Sequence, residues 1–296
     1  MTRALALAAD LGIAHALAGG AQPVEALARE QGVDADALYR VLRALASDGI
    51  FEETEPGVFR NTAASEVLTR DGWDSFAHLF GDVWLTSVAA LDPSGEASFP
   101  RVHGSEFWSW LGAHPDDRAA FDRAMAQGWQ GRLERLATVD WRDDELVVDV
   151  GGGNGSLLMA LLAHHPRMRG IVFDLRETVR DEHAFGERCT FVEGSFFESV
   201  PHGDTHVVST ILHDWDDPSA RRILQTIRAA DGQRLVVLDS VIEAGNAPDG
   251  AKWLDLLMLT LTRGRERTSA EWQALLGESG WQPRRIGPGM IEAQPA

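Results

Sequence analysis

The sequence has one cysteine, Cys189, and one lysine, Lys252. A lone cysteine forms no internal disulfide, so the fold is expected to rest on its core and the cytoplasm is the expected compartment. No apolar run approaches the ~20 residues that a membrane-spanning helix needs. The first 20 residues are apolar but carry Asp10 and His15, which reads as an amphipathic helix and not a secretory signal. Positive charge is scarce too: 27 basic residues face 45 acidic ones, a net charge of −18. That balance disfavours sequence-independent binding to nucleic acid or to a membrane surface. With 44% hydrophobic and 24% charged residues, the chain is neither disordered, collagen-like nor a coiled coil. Its 296 residues suffice for two domains.

The two halves differ in texture. Residues 1 to about 145 read as helices with one hairpin, whereas the remainder alternates short apolar runs with helical stretches, as parallel α/β sheets do. In the first half, helices are expected over residues 23–31 and 34–47, the second with an apolar stripe of Leu38, Val41, Leu42 and Leu45. A strand at 49–51, a turn from EETEPG and a return strand at Val58-Phe59 complete a winged-helix pattern. Residues 1–70 hold six arginines against ten acids, a net charge of −4, and the wing carries Glu52, Glu53 and Glu55 where a DNA-reading wing needs cations. Packing or dimerisation is therefore expected of this module, with no nucleic-acid partner. Residues 105–139 read as two helices parting near His114-Pro115, rich in Phe107, Trp108, Trp110, Phe121, Met125 and Trp129. Core packing accounts for most of these, but a flat aromatic substrate needs such a lining.

The strongest signal is LVVDVGGGNGSLL at 146–158, a buried strand followed by a glycine turn and a helix start. Gly151, Gly153 and Gly155 give G-x-G-x-G; a dinucleotide fingerprint would place its third glycine at Ser156. A phosphate-binding P-loop lysine is also missing. Asp149, just before the turn, suits a ligand with a cationic group; S-adenosylmethionine has an ammonium and a sulfonium, and NAD lacks both. About 20 residues on, Asp174 ends the next strand, where an acid accepts the ribose hydroxyls of an adenosine ligand. A third strand runs into Gly194-Ser195-Phe196, where backbone and ring would flank the adenine.

A fourth strand, read as 206–212, leads into His213-Asp214-Trp215. Reacting groups sit beyond the carboxyl ends of such strands, and a histidine with an ordinary pKa near 6.5 suits a base at neutral pH. Asp239 after the fifth strand and Glu266 in RGRERT are candidates to hold the other ring nitrogen, or else ion-paired structural residues.

DVGGGNGSLL, FDL, GSFF, LHDWDD and GRERT, in this order, resemble the caffeic-acid-type small-molecule O-methyltransferases, and LYRVLRALASDGIF resembles that family's winged-helix dimerisation region. The resemblance implies a Rossmann-like class I methyltransferase domain at 141–296, an N-terminal mostly helical winged-helix dimerisation domain at 1–104, and connecting helices at 105–140 that line the acceptor pocket. It implies a homodimer that methylates a hydroxyl of a small aromatic or polyketide-type natural product, converting S-adenosylmethionine to S-adenosylhomocysteine without a metal. By the same resemblance Gly151, Asp174, Leu175, Ser195, Phe196 and Trp215 bind the cofactor. Asp149, Gly153, Ser209 and Asp214 are expected to join them. His213 is the general base, flanked by Asp239 and Glu266, and Phe121, Met125, Trp129 and Met258 line the acceptor site. Ser195 and Ser209 stand where the family often has Asp and Lys. Two other readings remain open: the same fold with changed chemistry, such as hydroxylation, decarboxylation or ring closure, and a winged-helix regulator that senses a ligand.

Overall fold

Residues 146–150 are β-branched or apolar on both sides of the strand except for Asp149, the pattern of a strand covered on both faces. In the computed structural model, which describes residues 1–178 and 186–296, they form the first strand of a seven-stranded sheet. Its strands are β1 (Leu146–Val150), β2 (Arg169–Asp174), β3 (Cys189–Glu193), β4 (Thr205–Ser209), β5 (Arg234–Leu238), β6 (Trp281–Gly287) and β7 (Met290–Pro295). Across the sheet they run β6-β7-β5-β4-β1-β2-β3. β1 to β5 are parallel, and β7 lies antiparallel to β5 and β6. The chain winds outward from β1 through β3, returns to β4 and continues the other way, so the crevice at the reversal lies beyond the ends of β1 and β4.

Alternation along the strands fills two cores. Val147, Val207 and Val236 pack with Leu157, Leu158, Leu161 and Leu162 on one face, while Val148, Val208 and Val237 pack with Ile223, Leu224, Ile227, Trp272 and Leu276 on the other. Asp149 thus shares the Val147 face. The closing hairpin departs from the parallel pattern expected of this half; Gly287-Pro288-Gly289 turns the chain back.

The chain divides into two compact units, Met1–Leu91 with Ser98–Gln127, and Asp92–Ala97 with Gly128–Ala296. In the first, helices Val24–Gln31 and Ala35–Ser47 and a sheet ordered Gln22–Pro23, Val58–Asn61, Phe51–Glu55 make the winged helix. Asp34 caps the second helix by accepting the Ala37 N–H at 2.8 Å. The expected turn at 52–57 is mostly strand, with a bulge between Glu53 and Glu55, and Glu53 accepts the Gly57 N–H at 2.8 Å to close it. The N-terminal stretch is two helices, not one, because Gly12 sits at φ 61 between Thr2–Asp10 and Ile13–Ala16. Residues 105–139 likewise give three helices, Phe107–Ala113, Pro115–Met125 and Trp129–Leu136, with the extra break at Gly128, φ 72. The first two belong to the first unit and the third to the second. No described helix is long and apolar enough to cross a membrane.

Candidate active site

All the catalytic and cofactor-site residues expected from the sequence fall in the second unit, in the last residues of β1, β2 and β4 or in the segments that follow the strands, except Glu266, which follows helix Gly250–Thr262. The turn after β1 needs glycine for two reasons. Gly151, Gly153 and Gly155 have φ of 72, 58 and 75, a region that L side chains rarely adopt. A Cβ at Gly152 would stand 2.8 Å from the Asp149 carboxylate, and one at Gly151 would meet Ile211 Cδ1 at 2.5 Å. The turn is tied to β2: Gly151 N–H donates to Phe173 O and Gly153 N–H to Asp174 Oδ2, both at 2.8 Å, while Asp174 Oδ1 accepts the Leu175 N–H at 2.7 Å.

Asp149 is buried at 2% exposure, and burial pushes its carboxyl up to about 7, with Arg132 opposing and Asp174 adding to the rise. Arg132 stands on helix Trp129–Leu136 and donates to Thr210 Oγ1 at 3.3 Å. Burial lowers its guanidinium, against the pull of Asp149 and Asp239. Nothing in the sequence singled Arg132 out, since it sits in a polar helical stretch. After β3, Ser195 Oγ accepts the Phe197 N–H at 3.3 Å. Phe196, Phe197 and Trp215 meet edge to face, with centroids 4.8 to 6.0 Å apart. Leu175 is 47% exposed.

β4 ends at Ser209, three residues before the expected point, because Thr210 turns left-handed at φ 53. That is an outlier for a β-branched residue. It is held by Thr210 N–H to Leu238 O at 3.2 Å and Thr210 Oγ1 to Ser209 O at 2.7 Å. The chain then makes a single 3₁₀ turn, Leu212–Asp214. His213 Nδ1 lies 2.7 Å from Glu266 Oε1, and its Nε2 lies 3.7 Å from Asp214 Oδ1. An ionised carboxylate accepts only, so the Glu266 contact puts a proton on Nδ1 and turns Nε2 to chemistry. Asp239 is buried, and its carboxylate faces the His213 backbone N–H at a geometry short of a full hydrogen bond. Buried Glu266 Oε2 likewise has no hydrogen-bond partner.

Burial alone would lower the His213 imidazole. Asp214, Glu266 and Asp239 outweigh it and push the ring up to about 10. Burial raises Asp214 to about 7 and Asp239 to about 6, against the attraction of His213. The cluster therefore holds a proton on His213 at neutral pH, and a cation brought among these acids would favour its release.

Glu266 reaches His213 from a strap at 263–267. Arg265 N–H donates to His213 O at 2.8 Å, and Glu266 N–H donates to Asp255 Oδ1 at 2.8 Å. Asp255, on helix Gly250–Thr262, was not legible as part of the site. The residues expected around an acceptor lie in both units. Phe121 and Met125 are in the first, with Phe121 edge-on to Phe107 and Trp108 at 5.7 and 5.6 Å. Trp129, packed against the Leu136–Leu161 core, and buried Met258 are in the second.

A family model described as an O-methyltransferase domain matches residues 85–282, and one described as an O-methyltransferase dimerisation domain matches residues 1–71. The phenazine O-methyltransferase PhzM of Lysobacter antibioticus is 35% identical over 100% of this chain and 93% of its own. The 3-amino-4-hydroxybenzoate 4-O-methyltransferase of Streptomyces cremeus is 35% identical over 95% of this chain and 82% of its own. The solved structure of NcsB1, an O-methyltransferase from neocarzinostatin biosynthesis in complex with S-adenosylhomocysteine and 1,4-dihydroxy-2-naphthoic acid, superposes with a TM-score of 0.87. It is 31% identical, covering 100% of this chain and 96% of that one.

Proposed function

The chain belongs to the caffeic-acid-type O-methyltransferase family, and from that premise we propose that it methylates a hydroxyl of a small aromatic or polyketide-type natural product with His213 as general base. It is an S-adenosylmethionine-dependent O-methyltransferase. The observation that carries the assignment of the base is the 2.7 Å His213–Glu266 contact, set among buried acids at the sheet's reversal point and beside the glycine turn.

The residues fit the cofactor. Buried Asp149 and Asp239 and half-buried Asp214 suit a ligand with ammonium and sulfonium charges, Ser209 Oγ is buried without a hydrogen-bond partner, and Gly153 has open space where a side chain would stand. When bound, the cofactor supplies a methyl group on a positively charged sulfur. Asp149 and Arg132 hold the ammonium and carboxylate of its amino-acid end. Asp174 accepts the ribose hydroxyls, and Leu175, Ser195, Phe196 and Trp215 flank the adenine. Ser209 and Asp214 complete the wall, with Gly151 and Gly153 letting the backbone approach.

His213 takes the proton of the acceptor hydroxyl on Nε2, and Glu266 and Asp239 stabilise the imidazolium. An ordinary phenol has a pKa of about 10, so a base that takes its proton makes a far better nucleophile, and positive charge brought among Asp214, Asp239 and Glu266 favours the His213 ring that has released its own proton and can accept this one. Trp129 and Met258, in the same unit as His213, are assigned to the lining of the acceptor. A hydroxylated aromatic is favoured by relatives named for a phenazine and a hydroxybenzoate, and by the naphthoic acid held by NcsB1. The dimerisation domain supports a homodimer, to which exposed Trp73, Phe80, Val88 and Leu91 bring apolar surface. The winged helix is read as a packing module, since the wing's Arg60 is paired with Glu52 at 2.6 Å.

The test is methyl transfer from methyl-labelled cofactor to 1,4-dihydroxy-2-naphthoic acid and to hydroxylated phenazines. A labelled methyl ether is expected. An aromatic converted without consumption of cofactor would establish changed chemistry instead. A second expectation concerns pH. Both His213 losing its proton and the acids losing theirs favour a cation, so affinity for S-adenosylmethionine rises as pH increases from about 6 toward about 10. S-adenosylhomocysteine lacks the sulfonium charge. The ratio of the two affinities should therefore shift about tenfold per proton released per pH unit at most, and calorimetry that finds a pH-independent ratio counts against the charge coupling.

A further inference from the structure

We propose that Arg267 is a positioning residue: its buried guanidinium grips the turn 212–215 from both sides and so places the base His213 and the adenine wall Trp215 together. The proposal rests on the roles assigned above to His213 and Trp215. Arg267 is 0% exposed. Its Nη1 donates to Leu212 O at 3.0 Å and its Nη2 to Trp215 O at 2.9 Å, the carbonyls just before His213 and just after Asp214. The same Nη1 donates to Arg265 O at 3.2 Å, within the strap that carries Glu266. Nε donates to Asp217 Oδ1 at 2.9 Å, at the start of helix Asp217–Ala229, and the guanidinium carbon lies 5.2 Å from the Trp272 ring centroid. The Arg267 backbone pairs in parallel with Val241, two residues beyond Asp239.

One side chain thus joins the base turn, the strap, the Asp239 segment and the following helix. Only a planar fork with several fixed donors reaches two carbonyls that flank a turn; a lysine ammonium is a point donor on a flexible stem. A group that merely filled the core would have no reason to bracket His213 with both of its terminal nitrogens.

The test compares Arg267→Lys and Arg267→Ala with wild type, measuring kcat and calorimetric affinity for S-adenosylhomocysteine on protein whose circular dichroism is native. A displacement of about 1 Å in a reacting group costs about 100-fold, so Arg267→Lys is expected to lower kcat by that order. Loosening of the aromatic wall at Trp215 is expected to weaken S-adenosylhomocysteine about tenfold. Millimolar guanidinium, and not ammonium, should restore kcat in Arg267→Ala. A native Arg267→Lys with both constants within twofold of wild type overturns the proposal, as does a fall in kcat with unchanged S-adenosylhomocysteine affinity. If neither variant folds, Asp217→Asn, whose carboxylate is 39% exposed, removes the charge that fixes Nε; it should shift both constants severalfold, and no shift in either overturns the proposal. His213→Ala in parallel separates the two readings. Turnover retained there, with affinity lost in Arg267→Lys, removes His213 as base and leaves the Arg267 grip standing.

Discussion

His213→Ala is expected to lose about 10²–10⁴-fold in kcat, the usual contribution of a general base, while still binding S-adenosylhomocysteine. The reason lies in what each part of the site touches. Cofactor groups are assigned to the glycine turn, Asp149, Asp174 and the Phe196–Trp215 wall, none of which depends on the imidazole for its shape. The turn 212–215 is held through main-chain carbonyls by Arg265 and Arg267, so deleting the ring leaves its backbone in place. What disappears is the acceptor for the hydroxyl proton and the cation that balances Asp214, Asp239 and Glu266. Without it, burial pushes Asp214 and Asp239 further up, and the variant takes up protons at neutral pH. Wild-type turnover in His213→Ala would remove His213 as the base. Loss of S-adenosylhomocysteine binding along with turnover would instead assign His213 to the cofactor site.

Gly264→Ala is expected to be nearly as damaging without touching an ionisable group. A Cβ there would overlap the His213 carbonyl oxygen outright and come within 2.6 Å of the Asp214 carbonyl carbon and 2.9 Å of its Cα. All three obstacles are backbone atoms, so no rotamer change relieves the overlap, and either the strap or the base turn must move. Overpacking of this kind costs about 1–3 kcal/mol, and a shift near 1 Å between Glu266 and His213 costs about 100-fold in rate. The expected result is a lower melting temperature together with a kcat reduced by about two orders of magnitude. Gly277→Ala is the control: that glycine lies within helix Ser269–Glu278 with nothing within 4 Å of the added carbon, and its kcat should be unchanged. Equal kcat in Gly264→Ala and wild type would show that the strap does not set the base.

The doubly wound half was legible because its information is local. Five short strand-like runs end at the residues where β1 to β5 end, within a residue or two except at Thr210, whose left-handed turn no pattern of hydrophobicity announces. The glycine turn was legible because only glycine tolerates its dihedrals. His213 stood out by its place at a strand end. Glu266 remained one of two open candidates for the partner, since 53 residues separate it from His213 and only the packed strap brings them together. Arg132 and Arg267 were hidden because a charged residue in a polar stretch looks solvated until burial and partners are known, and Asp255, the lone acid in the apolar run WLDLLML, has a partner 11 residues away that only the packed strap brings to it. The helix break at Gly128 and the final hairpin at Gly287-Pro288-Gly289 had signals in their glycines, but the expectation of longer helices and a wholly parallel sheet overrode them.

The strap grips the base turn by oxygens that every amino acid possesses: the carbonyls of Leu212, His213 and Trp215. Such a grip is blind to side chains. Mutational drift at Ile211 or Leu212 is answerable to the neighbouring core but not to the grip itself, whereas the gripping side has no such freedom at Gly264 or Arg267. The burden of keeping the reaction centre in place is therefore unevenly shared along the sequence. A chain diversifying toward new acceptors has freedom at positions such as Met258 on helix Gly250–Thr262, while Asp255 on the same helix and the few residues that hold the turn stay fixed.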